Sequence, residues 1–243
     1  MIFILFVIGL IVGSFVNVVI YRLPQSLMGK SINLSNPGRS FCPKCKHTLS
    51  IIELIPLLSY LFQRGKCKHC KQSISVQYPV VELTCGLLVS VAYLKFGLNL
   101  ELLFILFFIF NLVALFWIDI KHQLLPDAIT LPLIAIGLVF NYLFGFVEFS
   151  DAVIGAAVGY LTLWSIFWAY KLIRKVDGMG YGDFKLVAAL GAWFGWQSLP
   201  ILLLGASTLG IVYFLLAIKD RNQAFAFGPF LIISALVWLF LTY

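Results

Sequence analysis

The chain has 243 residues, 62% of them hydrophobic and 16% aromatic, with only 11% charged and a formal net charge of +7. Soluble domains carry about a quarter of their residues as charges, so a soluble single domain, a disordered chain and a disulfide-stapled secreted module are all excluded. A polytopic membrane protein remains, because apolar runs of about 18 residues or more span a bilayer, and the surplus of Lys and Arg then reads first as a topology signal.

Eight spans are predicted, near 1–20, 79–97, 101–119, 128–147, 151–171, 183–197, 199–218 and 225–243. The sixth is the weakest, being short and opening with Asp183-Phe184-Lys185. The first is read as a span and not a cleaved leader, since nothing basic precedes it and no small-residue cleavage site follows. Nine Lys and Arg lie in 21–78, and seven more lie around 121, 171–185 and 219–223. With eight spans all 16 share one face, and only Lys95 falls on the other. Cations gather on the cytoplasmic side, which places both termini outside. The expected architecture is an all-α polytopic membrane protein: a first transmembrane helix at 1–20, a small zinc-ribbon-like cytoplasmic insertion at 21–78, and a seven-helix membrane domain at 79–243.

The insertion reads Cys42-Pro-Lys-Cys45, then 21 residues, then Cys67-Lys-His-Cys70. Two Cys-x-x-Cys knuckles bring four thiolates into a tetrahedral set for zinc. Free or disulfide-bonded cysteines are the competing reading, and a cytoplasmic location disfavours disulfides. Neighbouring Lys44, Lys46, Lys66, Lys68 and Lys71 help keep thiols ionised. Four cysteines leave no open coordination position, so the metal is expected to be structural. His47 and His69 are possible replacement ligands, but each reads better as a solvated loop histidine. Nucleic acid is not an expected partner, because the positive-inside pattern already accounts for these cations. Cys85, within the second span, reads as a small packed residue.

Acids at membrane depth are costly and point to function. Asp119 ends the apolar run that includes Leu112 to Ile118, and Asp183 closes Gly178-Met-Gly180-Tyr-Gly182-Asp183. By the topology above, both sit at cytoplasmic span ends. Two carboxyls brought together can share a proton, one activating water and the other donating to a carbonyl. Asp127, after Pro126, reads as the N-cap of the fourth span. Asp183 has a capping reading too, whereas Asp119 at a helix C-terminus has none. A plain structural bridge from Lys121 or Lys185 to Asp119 is the competing role. Helix polarity assigns the base to Asp183 and the acid to Asp119. A transporter or scaffold whose acids relay protons would use similar residues, and stays open on these grounds.

These residues together resemble the prepilin peptidases, or type IV leader peptidases, over nearly the whole chain. The matching stretches are Gly13-Ser-Phe-Val-Asn-Val-Val-Ile-Tyr-Arg-Leu-Pro24, the double Cys-x-x-Cys and Tyr78-Pro-Val-Val-Glu82. They continue with Asp119 to Pro132, Gly178 to Gly195 and Phe227-Gly-Pro229. Gly-x-Gly-Asp alone is shared with presenilin-like proteases; in this order with the knuckles it is specific. The resemblance implies a GxGD-type aspartic endopeptidase of the bacterial cytoplasmic (inner) membrane, with Asp119 and Asp183 catalytic. Its substrates would be prepilins and pseudopilins of type IV pili, type II secretion or competence systems. Cleavage after a Gly would free a new N-terminus, commonly Phe. Many members then N-methylate that amine with S-adenosylmethionine, an activity associated with the zinc-bearing insertion. The chain departs from the family in a short 24–42 segment and in Leu54, where an Asn often precedes Ile-Pro.

Overall fold

The computed structural model describes residues 1–29, 38–175, 180–217 and 226–243. The described residues are helical, with no strand longer than isolated bridges. They form nine α-helices: α1 (Ile2–Leu27), α2 (Leu58–Phe62), α3 (Gln77–Phe96), α4 (Leu100–His122), α5 (Asp127–Phe144), α6 (Phe149–Arg174), α7 (Tyr181–Phe194), α8 (Leu199–Ala217) and α9 (Gly228–Thr242). Eight of these correspond to the predicted spans, and α2 lies in the insertion.

Six segments are long and apolar enough to cross a membrane: α1, α3, α4, α5, α6 and Trp196–Leu216, which contains most of α8. The other two, α7 and α9, have 14 and 15 residues. At about 1.5 Å per residue they fall short of the roughly 30 Å hydrocarbon layer. For α7 the reason is visible: 11 of its 14 residues are buried in protein. A helix that is apolar on all sides and enclosed by others need not match the bilayer.

The chain divides into two compact units, Met1–Ala114 and Leu115–Tyr243. In the first, α1 and α3 run antiparallel along a seam of small residues. A Cβ at Gly9 would stand 2.8 Å from the Cα of Gly86, and one at Gly13 would stand 2.8 Å from the Cα of Glu82. Only glycine permits such backbone approach, the usual device for helix pairing in lipid. The first helix runs past the expected end at residue 20 to Leu27, so Arg22 is helical and buried, and its guanidinium donates to the Arg39 carbonyl at 3.1 Å. Lipid sets only the apolar part of such a helix; backbone hydrogen bonding carries it onward.

In the second unit α6 and α7 are also antiparallel, held together by Gly155 against Gly191 and Gly159 against Val187. The carbonyls at the end of α7 do not go unmet. Asn141 of α5 donates to Ala192 O at 2.8 Å and Trp193 O at 3.1 Å, while its Oδ1 accepts from the Val147 N–H at 2.9 Å. The Trp193 indole donates to Leu133 O at 2.9 Å. These bonds fix the depth of α7, and so of the aspartate at its other end, by satisfying groups that would be costly to bury unpaired.

Candidate active site and metal centre

Asp119 and Asp183 both lie in the second unit. Asp119 sits in the last turn of α4 and is 5% exposed; Asp183 is the third residue of α7 and is 9% exposed. Gly180 stands at the N-cap of α7 with extended φ and ψ and accepts the Asp183 N–H at 3.2 Å. The structure brings the two carboxyls close enough for the charge of Asp119 to act on Asp183. Neither makes an ion pair among the described residues.

Leu125 and two glycines set this geometry. A Cβ at Gly182 would stand 2.8 Å from the Leu125 Cβ, and one at Gly228 would stand 3.4 Å from the Leu125 Cδ1. The Cβ position of Gly228 is already occupied by the Asp119 carboxyl, Oδ2 being its nearest atom. The Gly228 N–H also bears on that carboxyl, yet its Oδ2 is buried without a hydrogen-bond partner. An unpartnered buried carboxyl oxygen beside a second acid asks for an explanation, and a reacting group to protonate or hydrate is one.

Three expectations need correction. Asp127 begins α5 but makes no capping hydrogen bond; Pro126 holds the N-cap position. Asp127 instead pairs with Lys185 at 2.6 Å, on the exposed side. That removes Lys185 as a structural partner for Asp119, because its charge is spent on Asp127. Helix polarity does not assign the base and the acid either, since Asp119 meets the N-terminal end of α9 through Gly228 as well as the C-terminal end of α4. Opposed helix ends do not separate the roles of the two acids. Nothing local in Phe227-Gly228-Pro229 marks Gly228 as part of a site; only the fold puts it on Asp119. Asp177 and Gly178 lie outside the described residues.

The four insertion cysteines form the other site, in the first unit. The Sγ atoms of Cys42, Cys45, Cys67 and Cys70 all lie within 4.8 Å of one another, an arrangement that can hold a metal ion. Each knuckle is built alike. The Cys42 N–H donates to His47 O at 2.9 Å, and the Lys46 N–H returns to Cys42 O at 2.9 Å. In the second, Cys67 N–H donates to Gln72 O at 2.8 Å, and Lys71 N–H returns to Cys67 O at 3.0 Å. Lys46 and Lys71 both take positive φ, 61° and 58°, the reversal that lets each pair of sulfurs face inward. Backbone N–H groups of Cys70 and His69 point at the Cys67 sulfur and bring its pKa down to about 7, favouring the thiolate a metal requires. His47 and His69 are not in the set; their ring centroids lie 3.7 Å apart with the planes tilted by 32°, and His47 Nε2 is 3.7 Å from Glu53 Oε2. Cys85 is fully buried against Gly13 in the helix seam, as a packed residue should be.

Known proteins resemble the chain over nearly its whole length. Residues 7–96 match the bacterial peptidase A24 N-terminal domain, and residues 105–215 match the type IV leader peptidase family. A prepilin leader peptidase/N-methyltransferase of Aeromonas salmonicida is 45% identical over 260 residues, covering 96% of this chain and 89% of its own length. A Pseudomonas putida protein of the same name is 45% identical, covering 96% and 88%. One from Neisseria gonorrhoeae is 41% identical, covering 97% and 88%. No solved structure matches the chain. None of these similarities points to a transporter or scaffold. With both sites in place and likeness running from end to end, the chain belongs to the type IV leader peptidase family.

Proposed function

We propose that this chain is a membrane aspartic endopeptidase that removes the short basic leader of type IV prepilins or pseudopilins and then N-methylates the freed amine. The observation that carries the reading is the pairing of two buried carboxyls, Asp119 and Asp183, with one oxygen left unpartnered, in a chain of this family. The pair shares one proton and acts as a unit. The ionised carboxyl takes a proton from water as that water attacks the scissile carbonyl, and the protonated one donates to the carbonyl oxygen. Collapse of the tetrahedral adduct breaks the C–N bond, and the proton gained from water passes to the leaving amine.

Cation placement orients the protein with both sites at the cytoplasmic face of the bacterial inner membrane, eight helices spanning or entering the bilayer. The apolar helix of a substrate would lie among them while its basic leader stays in the cytoplasm. Cys42, Cys45, Cys67 and Cys70 would hold a structural zinc that folds residues 38–75 as a small cytoplasmic unit. S-adenosylmethionine would supply the methyl group.

Leader cleavage by the purified protein is the test. Asp119→Asn and Asp183→Asn are each expected to lower the cleavage rate by about 1,000-fold or more, while folded yield stays near normal. Cleavage at the normal rate in either variant would sink the protease reading.

A further inference from the structure

Glu82 is a buried acid that proteolysis leaves unused. It lies on α3, 7% exposed, facing α1 across the glycine seam at Gly13. Its Oε2 accepts the Leu57 N–H at 2.9 Å, and the Ser14 hydroxyl also donates to the carboxylate. Among the described residues it makes no ion pair. A buried carboxylate without a cation is costly to keep.

One turn away stands a second group short of a donor. Asn17, 2% exposed, donates through Nδ2 to Tyr78 O at 3.1 Å, but its Oδ1 is buried with no hydrogen-bond partner. Ser14 and Asn17 share a face of α1, as Tyr78 and Glu82 share a face of α3. The facing turns therefore hold one negative and one neutral acceptor with too few hydrogens between them, which suits a cation rich in N–H groups.

The backbone that reaches Glu82 is itself unusual. The Leu58 N–H donates to Pro56 O at 2.6 Å across Leu57, whose φ and ψ are 59° and −50°. This is the rare, strained form of the γ-turn, in a residue with a bulky side chain. Strain of this kind persists where surroundings over-determine it, and here Glu82 holds the central N–H. The knuckle-bearing insertion is thus fastened at the carboxylate.

We propose that Glu82, with the Asn17 Oδ1 one turn along the same seam, binds the α-ammonium group that leader cleavage frees and serves as the base for its methylation. The inference rests on the N-methyltransferase reading above. An ammonium offers three N–H donors, enough for both acceptors. Its nitrogen has no free electron pair until a proton leaves, and the carboxylate takes that proton. The pair then forms the new C–N bond to the methyl carbon of a sulfonium donor, whose C–S bond breaks with its electrons remaining on sulfur. The product is a methylated ammonium, a neutral thioether and a protonated Glu82, which returns its proton to water.

Two readouts test this, one without any methyl donor. A peptide with a free N-terminal ammonium is expected to bind the purified full-length protein about tenfold or more tightly than its N-acetylated form, and Glu82→Gln abolishes that preference. Equal binding of the two peptides by the unaltered protein overturns the proposal. In the coupled reaction, mass spectrometry of the product is expected to show Glu82→Gln cleaving the leader while its methyl transfer falls about 100-fold or more. That transfer should recover as pH rises through about 8, where water can free the amine. Unchanged methylation overturns the proposal. So does loss of cleavage and methylation together with no recovery at high pH, which would make Glu82 only the anchor of Leu57; Glu82→Asp, shorter but still a base, then stays as inactive as Gln. If the unaltered protein cleaves yet adds no methyl group, the underlying methyltransferase reading fails instead.

Discussion

The cysteine insertion and α7 carry the chain's two proposed functional centres on opposite physical principles. Around the knuckles little is buried: Cys42 and Cys67 are among the few covered residues, while Ile51, Ile52, Leu61 and Phe62 stand exposed. Order there comes from backbone turns and four sulfurs, so its stability is expected to reside in a metal. Helix α7 is the reverse, enclosed by protein and placed by glycine contacts and by Asn141 at its far end. A metal-stapled module can be released by removing one ion. A close-packed helix yields only to a change of volume, because interiors pack to near-crystalline density.

That contrast can be broken experimentally, beginning where the effect should be largest. Gly228→Ala puts a methyl group where the Asp119 carboxyl already sits. The carboxyl must move, and misplacement of a reacting group by about 1 Å costs on the order of 100-fold. Cleavage rate is the measurement, with zinc content expected to stay normal; a rate within a few-fold of the parent would mean that this contact does not position the acid.

Cys67→Ser should act on the other region. One thiolate lost from four is expected to release the metal, measured by elemental analysis of the purified protein, and to unfold the insertion, seen as faster proteolysis within 38–75. Methylation should fall much further than cleavage if each region is stabilised on its own terms. An equal fall in both would show that the insertion supports the aspartate pair as well.

The smallest effect is expected from Lys185→Ala. The Lys185–Asp127 pair is short, but the Asp127 side chain is largely exposed, and such bridges contribute about 0–1 kcal/mol. Thermal unfolding in detergent should shift by a few degrees at most. A large loss of cleavage would show that Lys185 serves the neighbouring acid pair after all.

Much of this was legible without coordinates, for identifiable reasons. Apolar runs and cation placement depend only on composition along the chain, so eight helices appear near the expected positions. The Cys-x-x-Cys spacing is local, and four thiols in two such pairs can share one metal whatever the 21 residues between them fold into. Two expectations failed, for different reasons. The first helix continues to Leu27 because backbone hydrogen bonding outlasts the apolar run, whereas the capping role of Asp127 gave way to a group distant in sequence, Lys185, 58 residues away. Gly228 and Glu82 carry no local signal, since neither glycine nor a lone acid announces its partner.

By itself the sequence determined that the chain lives in a membrane, which face its cations mark, where a four-thiolate site would form, and which two acids stand at span ends. Those properties follow from solvent preference and short spacing, which any fold of this chain must respect. The tertiary structure decided which groups meet: Gly228 against Asp119, Leu125 against Gly182, and Glu82 against the Leu57 turn and the Gly13 seam. Those meetings arise from packing between helices far apart in sequence, where a missing methyl group or an unpaired oxygen acquires meaning only from its neighbour.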